Sequence, residues 1–231
     1  DVTLQDAATG QAWTAKTPST PRDPSEGFIA GVTQALTEAG RDAAEVARVL
    51  HGTTVATNMI LEGRTAPTAL LTTRGFRHVL EIGRADLPRR DNLWAWVKPK
   101  RPVPPGLVFE AGGRIGADGT ELEALDEADI RAAARAAKAA GVAAIAVCFL
   151  HAFANPAHER RALAILAEEV PDLARTASVD VLPVVREYER SMAAVLNAAV
   201  MPAISGYIAR LEARLDDAGV VAPLLLMKSN G

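Results

Sequence analysis

Several chemistries are excluded by what this sequence does not contain. Its 231 residues hold one cysteine, Cys148, so no disulfide closes within the chain and a reducing cytosol is the expected compartment. Cys148 sits inside the apolar run 142–150, the place of a small core residue rather than a nucleophile. Aromatic residues make up only 4%, and no basic stretch has the size of a nucleic-acid footprint. The one basic run, Lys98-Pro99-Lys100-Arg101, is short and interrupted by proline. No stretch approaches the ~20 apolar residues of a membrane span, and no signal peptide is recognisable. There is no Walker loop, no Gly-x-Gly-x-x-Gly, no Gly-x-Ser-x-Gly elbow and no zinc-type Cys/His spacing. His151, His158 and Glu159 match no common ligand spacing, so no metal site is assigned.

What remains is an Ala/Val/Leu-rich chain, 49% hydrophobic, with a net charge of −3 and interspersed charges. That composition suits a globular α/β protein of one large domain or two small ones. Two short strands around Ala8-Thr9-Gly10 fill residues 1–18. The proline-rich segment 17–25 is loop. Asp23 then caps a helix with Pro24 at its first position, and Gly40 stops it. Residues 46–50 and 67–72 read as strands, 76–82 as a short helix, and 83–105, bearing Trp94 and Trp96, as a long surface excursion. A hairpin is expected over 107–125, with Ala117-Asp118-Gly119 at its turn. Asp126 caps a helix to Ala140. Residues 142–150 form a strand buried on both faces, and Asn155-Pro156 starts the next helix. A strand at 174–181 follows, then a long helical stretch over 186–218 that Pro202 is expected to break, and a last strand at 224–227.

Alternation of this kind predicts a mixed, largely parallel sheet with helices on both faces. Ligands in such sheets sit beyond the carboxyl ends of strands. Three polar loops, 52–58, 72–75 and 228–231, are therefore candidates for one shared edge. The strongest is His51-Gly52-Thr53-Thr54-Val55-Ala56-Thr57-Asn58, where hydroxyls and backbone N–H groups meet at a strand-to-helix junction. The competing reading is that Thr53 or Thr54 simply caps the helix. Arg186-Glu187-Tyr188-Glu189-Arg190 reads by default as a solvated helical face of i, i+3 and i+4 pairs. Asn197 lies on the same face as Arg190, seven residues on, and a buried polar stripe there would need partners.

Together with Lys16-Thr17-Pro18-Ser19-Thr20-Pro21-Arg22-Asp23-Pro24, Leu71-Thr72-Thr73-Arg74-Gly75-Phe76-Arg77, Leu80-Glu81-Ile82-Gly83-Arg84, Asn155-Pro156-Ala157-His158-Glu159, Leu196-Asn197-Ala198 and Met227-Lys228-Ser229-Asn230-Gly231, these phrases resemble the hydantoinase A / 5-oxoprolinase / acetone carboxylase family. They occur in the family's order and cover nearly the whole chain. The resemblance implies a fold of the actin/hexokinase/Hsp70-type ATPase class. Residues 1–222 would be the N-terminal hydantoinase/oxoprolinase-type domain without its first phosphate-loop strand, and residues 223–231 the start of the next domain. The chain opens without Met and stops just after a strand, so a piece of a longer polypeptide is expected.

The implied activity is ATP-dependent opening of a cyclic amide, with ATP and Mg²⁺ and a hydantoinase B-type partner subunit or domain. A ketone carboxylase subunit is one alternative, and a non-catalytic assembly module is another. Carried over position by position, Thr53, Thr54, Asn58, Glu187 and Arg190 are candidates for catalysis. Asp1, Gly52, Ser229 and Asn230 are candidates for holding the nucleotide, and Arg84 and Asn197 for the substrate. The sequence departs from the family at Ser191-Met192-Ala193-Ala194, where relatives carry threonines, and at Lys228, where glutamine is common.

Overall fold

The computed structural model describes residues 1–84 and 101–227; Trp94, Trp96, Ser229 and Asn230 lie outside the described residues. Two compact units divide the chain, one made of Asp1–Asn58 with Ala203–Gly231, the other of Met59–Pro202.

Strands β1 (Val2–Gln5) and β2 (Ala12–Ala15) pair antiparallel. Helix α1 (Pro24–Ala39) begins where the Asp23 carboxylate accepts from Ser25 N, and it ends at Gly40 in the left-handed conformation, φ 61°. A 3-10 turn closed by Asp42 and Glu45 leads to β3 (Val49–His51) and then α2 (Val55–Leu61). In the first unit, Val32 and Leu36 of α1 pack with Leu215 and Val220, with Val2, Leu4 and Val49 against them.

The second unit is built on a parallel sheet of four strands: β4 (Thr68–Thr73), β5 (Val108–Ala111), β8 (Ala144–Cys148) and β9 (Ala174–Ala177), in the order β5-β4-β8-β9. Between these run α3 (Val79–Ile82), the hairpin of β6 (Arg114–Ile115) and β7 (Glu121–Glu123), α4 (Glu127–Ala139), α5 (Ala157–Glu169) and α6 (Ser178–Val181). Alternate strand residues serve two cores. Ala69, Leu71, Ile145 and Val147 meet Ile130, Ala134, Ile165 and Leu166 of α4 and α5. Leu70, Ala144, Ala146 and Cys148 meet Leu80 of α3 and Ala194, Val195 and Ala198 of α7 (Glu187–Asp217). Helices therefore cover both faces, as the unbroken apolar strands require. Full burial of Leu70 and Leu71 stabilises the unit by about 1.5–3 kcal/mol each. The last strand, β10 (Leu224–Leu226), returns to the first unit and pairs parallel with β3.

Five expectations need correction. Residues 108–111 do not belong to the hairpin; they pair parallel with β4 at the sheet edge, and only β6 and β7 form it. The strand expected over 174–181 ends at Ala177, where Ser178 starts a helical turn. Pro202 does not break α7, which runs on through it. The loops after β3 and β4 do not follow strands of one sheet, because β3 pairs with β10 and β4 belongs to another sheet. Finally, α7 has the length of a membrane-crossing helix, with an 18-residue stretch of mean hydropathy 1.6. Its residues Ala194, Val195 and Ala198 are nevertheless packed into the core beneath β4 and β8.

Candidate active site

In the first unit, the register sets Leu226 opposite His51, and Met227 N donates to His51 O at 2.9 Å. The chain leaves β3 through Gly52, Thr53 and Thr54, all exposed. Thr53 Oγ1 accepts from Val55 N at 3.2 Å, and Asn58 N donates to Thr54 O at 2.9 Å. Both threonines thus cap α2, as the local reading has it. The amide of Asn58 reaches Thr54 Oγ1 only at 3.4 Å. Among the described residues, Thr53 N–H and Thr54 N–H have no acceptor. With only seven residues in α2, the junction offers free donors rather than a helix dipole.

Beneath this turn lies a pair that sequence reasoning did not connect. His51 Nε2 and Tyr207 Oη are 2.9 Å apart, although 156 residues separate them in the chain. The edge of Phe28 meets the imidazole at a centroid distance of 4.8 Å. Burial lowers the His51 pKa, so the ring is neutral at pH 7. Burial raises that of Tyr207, with the nearby Thr53 hydroxyl acting in opposition. Asp1, the other candidate of this unit, is exposed ahead of β1.

In the second unit, Arg190 overturns its default reading as a solvated charge, because it is fully buried. Its guanidinium donates to Ser178 Oγ at 3.0 Å and Phe149 O at 2.8 Å, and lies over the Phe153 ring. Glu159, equally buried, stands 4.0 Å away. That carboxylate accepts from Phe149 N, Ser178 Oγ and Val179 N at 2.7–3.0 Å. Burial pushes the Glu159 pKa up, opposed by these donors and by the Arg190 charge. The cluster ties α5 and α7 to the carboxyl ends of β8 and β9. Asn197 continues the stripe by donating to Thr176 Oγ1 at 3.3 Å. The partners that such a stripe requires therefore come from β9 and the residue after it. Glu187 is half-buried at the start of α7, and Arg84 is exposed and paired with Glu189.

His151, His158 and Glu159 each have separate partners. His151 Nδ1 bonds Ile115 O, His158 Nε2 bonds Glu121, and Glu159 belongs to the arginine cluster. Among the described residues no group of three or more His, Cys, Asp or Glu could hold a metal. A recess of about 220 Å³ opens at the ends of β4 and β5, between Thr73, Arg74, Gly112, Gly113, Arg114 and Glu123. Its Thr73 hydroxyl is already taken by Leu150 N at 2.9 Å.

Of the predicted residues, the structure thus gathers Gly52, Thr53, Thr54 and Asn58 at one junction, and sets Arg190 and Asn197 along one buried stripe. Tyr207 and Ser178, which sequence reasoning missed, and Glu159, which it weighed only as a metal ligand and as part of a family phrase, are joined to His51 and Arg190 by contacts far along the chain. The available signal was the absence of other charges on the Arg190–Ala194–Asn197–Ala198 face.

A parallel sheet sandwiched by helices defines an α/β class of protein. Comparison narrows it. Residues 1–170 match the family described as hydantoinase/oxoprolinase N-terminal region. The caprolactamase subunit alpha of Pseudomonas jessenii is 35% identical over 94% of this chain and 32% of its own length. The acetophenone carboxylase gamma subunit of Aromatoleum aromaticum is 30% identical, over 96% and 32%. The crystal structure of the ATP-dependent caprolactamase from Pseudomonas jessenii superposes with a TM-score of 0.83 at 33% identity, covering 99% of this chain and 34% of that one. The chain belongs to the hydantoinase/oxoprolinase N-terminal region family, and it spans about a third of the length of these relatives.

Proposed function

We propose that this chain is part of an ATP-dependent enzyme that opens cyclic amides by activating the ring carbonyl. The observation that carries this reading is the match to the ATP-dependent caprolactamase over 99% of the chain. The chemistry is coherent. An unstrained amide is a poor electrophile, and phosphorylation of its oxygen by ATP supplies a leaving group, with positioning and Mg²⁺ doing most of the catalytic work.

The β3–α2 junction suits a role in that site. Its donors are neutral: Thr53 and Thr54 N–H, the Thr54 hydroxyl and the Asn58 amide. A set of this kind fits phosphate or amide oxygens without demanding a counter-charge. In this reading Gly52, Thr53, Thr54 and Asn58 face the ligand, and Asp1, Ser229 and Asn230 complete the nucleotide contacts. Arg84, Glu187, Arg190 and Asn197, in the second unit, bear on substrate binding and turnover. The enzyme works in the cytoplasm with a hydantoinase B-type partner, in keeping with relatives named as subunits.

The test is ADP release by the intact polypeptide with its partner, in the presence of caprolactam, hydantoin or 5-oxoproline. Stimulation by at least one is expected, and stimulation by none rejects the reading. The second reading, a ketone carboxylase subunit, rests on the match to the acetophenone carboxylase gamma subunit. It calls for ATP turnover that depends on both a ketone and bicarbonate.

A further inference from the structure

We propose that the recess at the carboxyl ends of β4 and β5 binds a small zwitterionic amino acid, with its carboxylate on Arg114 and its ammonium group on Glu123. The recess holds about 220 Å³ and opens where parallel sheets place their ligands, beyond the strand ends. It is smaller than the roughly 300–1,000 Å³ of sites for drug-sized ligands, so its occupant is small.

Most polar groups of its wall are already engaged. The Thr73 hydroxyl accepts from Leu150 N, the Arg74 guanidinium pairs with Asp129, and Gly112 N donates to Asp129 Oδ2 at 2.9 Å. Two charges remain. Arg114 and Glu123 stand directly opposite each other in the β6–β7 pair, and both line the recess. Opposite charges so placed ordinarily meet, with a gain of about 0.2–1 kcal/mol. Here neither forms an ion pair with any described residue. Arg114 lies instead over the Phe76 ring, 5.1 Å from its centroid. That contact draws the guanidinium away from Glu123 and leaves its fork of donors for a carboxylate.

A recess with one unspent cation and one unspent anion on its wall selects a molecule that carries both charges. A simple anion would be repelled by Glu123, and a simple cation by Arg114. The same class of molecule comes from the proposed reaction. Hydrolytic opening of a lactam breaks the C–N bond; the carbonyl carbon takes the oxygen of water and becomes a carboxylate, and the nitrogen takes both protons and becomes an ammonium group. This match to the product rests on the reading of the enzyme as a cyclic-amide hydrolase, whereas the placement of the two charges does not.

The test is calorimetric titration of the intact polypeptide with its partner. Glycine represents α-amino acids and 6-aminohexanoate the product of ring opening, with hexanoate and hexylamine as singly charged controls. At least one zwitterion should bind, and the controls should bind at least about tenfold more weakly. Glu123→Gln keeps the shape of an exposed side chain and should weaken the zwitterion about tenfold, while hexanoate becomes its equal because Arg114 remains. Arg114→Gln should abolish binding of both. ADP release by Glu123→Gln without added amino acid should match that of the unaltered protein. Absence of zwitterion binding, equal binding of hexanoate by the unaltered protein, or binding that survives both variants overturns the proposal. If no cyclic amide stimulates ADP release, the functional reading fails alone, and the titrations still decide the recess.

Discussion

Asp23 does two jobs at the start of α1, and two substitutions separate them. Its carboxylate accepts from Ser25 N at 3.2 Å and Ser25 Oγ at 2.6 Å, and it pairs with Arg214 at 3.1 Å and Arg210 at 3.4 Å. The Ser25 hydroxyl is the main reason that its pKa falls to about 2, with Arg214 and Arg210 adding to it. A carboxyl held below its unfolded value of 3.8 stabilises the folded chain above that pH. This stabilisation is lost as the pH falls from about 4 through about 2. Asp23→Ala removes the cap and should cost about 1 kcal/mol at pH 7. Asp23→Asn keeps a good cap, so it should lie between the alanine variant and the unaltered chain at pH 7 and converge with the latter near pH 2. Denaturant unfolding at the two pH values checks the order, and an identical pH dependence in Asp23→Asn would be the wrong answer. Arg190 is the opposite case, a charge with no exposure. Arg190→Ala leaves Glu159 buried without its counter-charge and should destabilise by about 3–5 kcal/mol. Arg190→Lys should recover little, because a point charge cannot serve Ser178 Oγ and Phe149 O together as the planar fork does. Recovery of full stability by lysine in thermal unfolding would rule that account out.

At the scale of elements, legibility followed locality. Helix α1 was read to its end residues because Asp23, Pro24 and Gly40 each act on the backbone beside them. Strand β5 was misread because Val108–Ala111 and the hairpin that follows share the same alternation; only the partner strand β4 distinguishes them, and it lies far off in sequence. The end of β9 was missed because Ser178 looks like strand, yet its hydroxyl is drawn into the Glu159–Arg190 cluster, where the backbone turns. Pro202 stayed inside α7 because an apolar helix anchored by its packing tolerates a lost N–H that an exposed helix would not. One glycine marks how closely two elements of the first unit approach. A Cβ placed on Gly31 of α1 would stand 2.7 Å from Val2 Cγ2 of β1. The short, branched valine has few rotamers with which to withdraw. Gly31→Ala should therefore destabilise by about 1–3 kcal/mol despite alanine's better helix propensity. Gly31→Ala combined with Val2→Ala should regain most of that loss, as urea midpoints would report.

At the scale of the molecule, the turn His51–Asn58 was legible as a strand-to-helix junction, while what surrounds it was not. Its residues are consecutive, so a phrase of eight letters marked it. Tyr207, whose hydroxyl lies 2.9 Å from His51 Nε2, comes 156 positions after it and carries no local signal. The nucleotide of the proposed reaction is subject to the same logic. The donors found at this junction are neutral, while a bound triphosphate carries several charges that call for cations or a metal. The chain spans about a third of the length of its relatives. Residues 1–231 by themselves should thus bind Mg·ATP weakly. Calorimetric titration should yield heats too small to fit at concentrations that saturate the intact polypeptide. The comparison is informative in both directions. If the 231 residues bind as tightly as the whole, then a full set of phosphate ligands lies within them, and the neutral junction after β3 is not where the charge is met. If only the whole polypeptide binds, Thr54→Val in that polypeptide should, in the proposed reaction, raise KM for ATP or for the cyclic amide. Whichever constant moves identifies the oxygen that the Thr54 hydroxyl holds.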